Sequence, residues 1–151
     1  EALAWQGAGL APWVGALMDA RHGTVYAALY EAGRDGELAC LGEPVACLVD
    51  EWVDEVERAV GDGAVVLVGD AVPLHWTLLR RRLGERALRL PPGFEVLHTA
   101  SVAGAARRHL LAGRRDDPRT LRPFYLKKPE AERLWEAARQ SSSPSPSSPC
   151  G

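Results

Sequence analysis

At 151 residues, with 46% hydrophobic and 25% charged positions, the chain has the size and make-up of one globular domain with a buried core. A net charge of −2 gives no global sign of a nucleic acid or an anionic membrane as partner. No apolar run reaches the ~20 residues that a bilayer span requires, and no signal-peptide pattern is present. In chain order, "EALAWQ" reads as the middle or end of a helix, because no capping residue precedes it. The chain is therefore expected to be a portion of a longer protein. Val14–Met18 and Thr24–Tyr30 are β-rich runs joined by a short polar turn. Val25, Ala27 and Leu29 point one way and Tyr26, Ala28 and Tyr30 the other. Both faces are apolar, which predicts a hairpin buried on both sides. "EAGRDGE" is a second turn, with Gly33 and Asp35-Gly36 expected at positive φ, and Leu38–Leu41 continues as a third strand.

Asp50 is the expected N-cap of a helix running to about Val60, with Trp52, Val56, Ala59 and Val60 inward and Asp54, Glu55 and Glu57 in water. "AVVLVGD" (64–70) is short, wholly apolar and valine-rich, the pattern of a buried strand parallel to a neighbour. Pro73 opens a helix through Leu83, with Leu74, Leu78 and Leu79 inward and Arg80, Arg81 and Arg82 outward. Ala87–Leu90 is a further short strand. Thr99 or Ser101 caps a helix over Val102–Leu111, which Gly113 stops. "RPFYLKK" is extended, and Pro129 starts a short helix, Glu130–Arg139. Residues 140–151 form a Ser/Pro-rich tail with the composition of a disordered linker. The order is a three-stranded meander followed by alternating helices and a buried strand. It describes half of an actin-like or sugar-kinase-like α/β fold (ASKHA, ribonuclease-H-like), a subdomain spanning residues 1–139, which periodicity alone does not fix.

Asp19 and Arg21 stand two apart, close to His22 and Gly23. On a strand the pair shares a face and can serve one ligand, the carboxylate taking magnesium or a proton and the guanidinium a phosphate. The plainer reading, and the favoured one, is a charged clasp closing a hairpin. Gly69 and Asp70 end the buried strand before a helix, where ligands often sit in α/β sheets. A tight turn is the plainer reading and the preferred one. The histidines at 22, 75, 98 and 109 have no metal-type spacing. Neither GxSxG nor a phosphate-binding glycine loop occurs. Cys40, Cys47 and Cys150 read as reduced thiols of a cytosolic protein. The basic run Arg80–Arg82 with Arg86 and Arg89 reads as the solvated face of a helix, not as a nucleic-acid patch.

Three segments in order carry a family resemblance. "MDARHGTVYAALYE" resembles the Asp-Ala-Arg-x-x-x-Val-Tyr hairpin of the bacterial TsaB (YeaZ) proteins, with Asp19, Arg21 and Tyr26 at its motif positions. "VVLVGDAVP" resembles their Val-Gly-Asp-Gly-Ala strand end, placing Gly69 and Asp70. "DPRTLRPFYLKKPEAE" resembles their closing Pro-x-Tyr-Leu-Arg segment, placing Pro123, Tyr125 and Lys127. The likeness covers Glu1 to about Glu132. It implies a non-catalytic assembly subunit that pairs with the TsaD-type catalytic subunit and works with a TsaE-type ATPase. Together with TsaC, these proteins place threonylcarbamoyl on adenosine 37 of tRNAs reading ANN codons. The resemblance further implies that this chain binds no cofactor, that ATP and a metal belong to partner subunits, and that any tRNA contact is indirect. It also implies a cytoplasmic location with no membrane partner. The family's opening Asp-Thr-Ser strand and first helices have no counterpart here, Ala71 replaces a glycine, and Lys127 replaces an arginine. On this reading the chain is the C-terminal subdomain, and alone it would expose the apolar face that packs on the other half. Two other readings are an actin-like ATPase or phosphotransferase half, and an interaction module fused to an acetyltransferase.

Overall fold

The computed structural model describes residues 1–34 and 36–126. Its centre is a five-stranded sheet in the order β3-β2-β1-β4-β5. β1 (Trp13–Asp19), β2 (Thr24–Ala32) and β3 (Leu38–Leu48) form an antiparallel meander. β4 (Val65–Val68) and β5 (Ala87–Arg89) add in parallel on the other side of β1. The helix α1 (Val49–Val60) links β3 to β4, and α2 (Ala71–Leu83) links β4 to β5. A third helix, α3 (Thr99–Leu111), follows. This is the meander-then-parallel order of a ribonuclease-H-like subdomain, as the element order predicts.

The apolar pattern explains the layers. Leu17, Val25, Ala27, Leu29, Val65 and Leu67 face α1 and α2, where they meet Trp52, Val53, Val56, Leu79 and Leu83. Val14, Ala16, Ala28, Tyr30, Val66 and Val68 face the opposite side, under Leu3 and Ala4. The hairpin is thus buried on both faces. Tyr30 lies in the second layer, where burial and the neighbouring Cys40 thiol push its phenol up to about 12.

Several expectations are corrected. The "EALAWQ" segment is a 3-10 turn, Ala4–Gly7, and not the end of a regular helix. Gly7 explains why: a Cβ there would lie 2.8 Å from Val66 Cγ1, so the turn lies directly on the sheet. β3 runs to Leu48 rather than ending at Leu41, because a bulge absorbs Gly42, Glu43 and Pro44 opposite Ala28. In the β2–β3 turn Gly36 has φ 71°, whereas Gly33 is not at positive φ. α1 begins at buried Val49, so Asp50 lies inside its first turn, and Glu51 instead accepts the Leu48 N–H at 3.1 Å. Val53, not Ala59, completes its inward stripe. In α2 the stripe is Val72, Leu79 and Leu83, with Trp76 and Leu78 packed at its edge, and this turns Leu74 outward (64% exposed). α3 starts at Thr99 without a side-chain cap. Ser101 is buried in its first turn and donates to Gln6 Oε1 at 3.2 Å. The proposed helix 130–139 and the tail lie outside the described residues.

Four of the five arginines of the basic run, all but exposed Arg81, make ties within the fold. Arg82, expected outward, reaches across to α1, pairing with Glu57 at 2.9 Å and Asp50 at 3.5 Å and hydrogen-bonding Asp54. These carboxylates raise the guanidinium pKa, with Glu57 and Asp54 the main causes. Arg80 donates to Gly84 O at 2.7 Å, Arg86 to Leu83 O at 3.1 Å, and Arg89 stacks 4.8 Å over the Trp76 ring. Arg82→Met is expected to lower the thermal midpoint in dilute buffer. That loss should shrink in 1 M NaCl, because salt already screens the wild-type clasp. Paired melting curves at the two ionic strengths check this.

Candidate functional site

The sheet brings together two motifs that are 51 residues apart. β1 and β4 run parallel with Ala16 opposite Val68, so Asp19 and Gly69-Asp70 emerge at the same carboxyl edge. The Asp19 N–H donates to Asp70 Oδ1 at 2.9 Å across that separation. This edge lies where the chain order reverses between β1 and β4, the position at which α/β sheets commonly bind ligands.

Gly69 makes the approach physical. It has φ 118°, and a Cβ built on it would lie 1.8 Å from Leu17 O. Only glycine lets β4 end this close to β1. Asp70 then leads directly into α2, and its carboxylate reaches back to the β1 end instead of capping the helix.

The turn itself is unusual for L residues. Arg21 (φ 66°), His22 (φ 53°) and Gly23 (φ 73°) are all left-handed in succession. Several bonds stabilise them: the Arg21 N–H donates to Asp19 Oδ1 at 2.9 Å, the Thr24 N–H donates to Arg21 O at 3.0 Å, and the Thr24 hydroxyl donates to Ala20 O at 3.1 Å. Arg21 is therefore not a strand residue sharing a face with Asp19. Its Nε stands 3.7 Å from Asp19 Oδ2, and its side chain is 84% exposed, so this ion pair contributes little. One oxygen of each carboxylate is engaged in holding backbone N–H groups, an arrangement that fixes geometry. Among the described residues no group of three or more His, Cys, Asp or Glu is placed to hold a metal ion. Asp19→Ala is expected to lower the thermal midpoint by several degrees, since the left-handed turn loses its acceptor. Differential scanning calorimetry of the purified variant checks it.

Other motif residues gather one step away. Tyr26 stands opposite Met18 on the hairpin and lines a cleft of about 260 Å³ with Phe124, Tyr125 and Leu126. Pro123 is exposed beside them, and Lys127 lies outside the described residues.

Sequence reasoning overlooked Gln6. Its amide donates to Phe94 O and Val96 O at 3.0 and 3.1 Å, and its oxygen accepts the His98 N–H at 2.8 Å. It thereby staples the segment before α3 to the N-terminal turn. A single glutamine carries no periodic signal, so nothing in the sequence marks this role. α3 also packs Gly104 on Trp5, where a Cβ would meet the ring at 2.7 Å. The other side of α3 is open: Val102, Ala106 and Leu110 line a groove of about 700 Å³ with Arg114 and Arg115 at one end.

The fold has solved counterparts. An uncharacterized Pseudomonas aeruginosa protein, described as similar to peptidase YeaZ, superimposes with a TM-score of 0.63 at 20% identity. YeaZ from Pseudomonas aeruginosa superimposes with a TM-score of 0.58 at 21% identity. Each match covers 83% of this chain and 55% of the other, so the chain spans about half the length of the structures it resembles. At this identity the likeness establishes the fold, an actin-like α/β sheet of the YeaZ type. No family model and no curated protein matches the sequence. Among the described residues no helix is long and apolar enough to cross a membrane.

Proposed function

We propose that the chain is the C-terminal subdomain of a TsaB-type assembly subunit. Such a subunit performs no chemistry itself and pairs with a TsaD-type catalytic subunit in forming N6-threonylcarbamoyladenosine at position 37 of tRNAs reading ANN codons. One observation carries the reading. The Asp-Ala-Arg turn and the Val-Gly-Asp strand end, recognised separately as motifs, are joined by the Asp19–Asp70 hydrogen bond on a YeaZ-like sheet. The open apolar side of α3 supports it, as a face on which the other subdomain would pack.

On this reading, ATP belongs to a TsaE-type partner, the metal to the TsaD-type subunit, and the complex works in the cytoplasm. Asp19 and Asp70 maintain the shape of the sheet edge without entering the reaction. The test is co-purification of the full-length gene product with a tagged TsaD-type subunit, and a stable complex is expected. Failure to co-purify would defeat the pairing. ATP hydrolysis by the purified protein alone, lost in Asp19→Ala, would instead establish the phosphotransferase reading.

A further inference from the structure

One side of α3 is open, so what holds the helix is the set of ties on its other side. Ser101 bonds Gln6 and Gly104 packs on Trp5. The Arg108 guanidinium lies 5.6 Å over the Trp5 ring and donates to Gly36 O. The last turn of the helix is held by the Glu1 side chain. His109 Nε2 stands 2.9 and 2.8 Å from the two Glu1 carboxylate oxygens, and Arg108 Nη2 stands 3.7 Å from one of them. All three side chains are partly buried. Of these ties, only the imidazole changes charge between pH 5 and 8.

The other charged groups around the pair are few. Arg114, Arg115 and Asp116 border the same groove as His109, and Glu37 lines the cleft on its other side. The Glu1 amino group faces Tyr30 and Cys40; it donates to the Tyr30 hydroxyl at 2.8 Å and not to α3. Among the described residues no carboxylate but that of Glu1 pairs with the imidazole. Burial alone would raise the Glu1 carboxyl, but the hydrogen bond and charge of His109, with the amino group and Arg108, hold it below its ordinary value.

We propose that Glu1 and His109 form a pH-sensitive latch, which fixes the last turn of α3 at mildly acidic pH and loosens as the imidazole loses its proton. Both partners are charged only between the carboxyl and the imidazole ranges. A neutral imidazole still donates one N–H, but a charge-assisted bond is roughly twice as strong. α3 carries the open groove of Val102, Ala106 and Leu110, so the latch sets how firmly that face is presented. Nothing in this requires pairing with a TsaD-type subunit.

The test is hydrogen–deuterium exchange of the full chain at pH 5.5 and 8.0, read by mass spectrometry on peptides from residues 105–113 and corrected for intrinsic amide chemistry. Protection of the last turn should be about two- to fivefold higher at pH 5.5, the range of a partly exposed ion pair. His109→Gln keeps an N–H donor without the charge, and it should abolish the difference. Glu1→Ala should do the same. α1, which holds no histidine, should show no such difference. Equal protection of the wild type at the two pH values would overturn the proposal, as would a difference matched in α1. A difference that survives in His109→Gln would also overturn it, and would assign the response to the amino group or to His98 at the other end of α3, whose ring pairs with Gly93 O.

Discussion

Gly69→Ala is expected to cost at least about 4 kcal/mol, the exceptional end of what one substitution does. Two penalties coincide at this position. Its φ of 118° is one that side-chain-bearing residues rarely adopt, and the new methyl would fall 1.8 Å from Leu17 O. Leu17 lies in the middle of the core and its carbonyl is main chain, so it cannot turn aside as a flexible side chain would. Relief would require separating β1 from β4, the two strands that join the meander to the parallel half. Gly9→Ala is the matched control, with φ 83° but nothing within 4 Å of the added carbon. It should cost only about 1 kcal/mol. Urea denaturation of both variants separates the clash from the backbone preference, and equal losses would refute the steric account.

Trp52→Ala is expected to cost about 3–5 kcal/mol. The indole is 1% exposed, and it fills the space that Gly15 leaves on β1, where a Cβ would lie 2.6 Å from Trp52 Cη2 and 2.8 Å from Leu67 Cδ2. The smallest residue on the central strand and the largest in the core are therefore one packing decision. A double-mutant cycle makes this measurable. Gly15→Ala should cost less in a Trp52→Phe background than in the wild type, although the Leu67 contact keeps some penalty. Strict additivity would show that the two positions are independent.

What could be read from the sequence follows from what periodicity reports. The alternation of Val25, Ala27 and Leu29 with Ala28 and Tyr30 announces a strand buried on both faces, and "VVLV" announces an interior parallel strand. Helix faces were legible only in part. Val72, Leu79 and Leu83 set the stripe of α2, and Leu74 is turned outward by a helix that starts two residues before Pro73. Gly42 and Pro44 read as the end of a strand, because a bulge resembles a turn until its partner strand is known. The candidate site was legible as two separate pieces. Their meeting depends on β1 and β4 being neighbours, a property of the sheet and not of either motif. Gln6 and Arg82 act through bonds to distant elements, so neither leaves a local pattern.

The central position of β1 has a consequence for synthesis. β1 is followed directly by its antiparallel partner β2, and β2 by β3, so the meander can assemble once Leu48 has emerged. Its other edge pairs with residues 65–68, which are made only after α1. Until then, "VGALM" presents an unpaired apolar edge, the kind that recruits strands from other nascent chains. The closing loop is long, but loop entropy grows only slowly with length. Docking of β4 thus completes the sheet and also removes the site at which two unfinished copies would join.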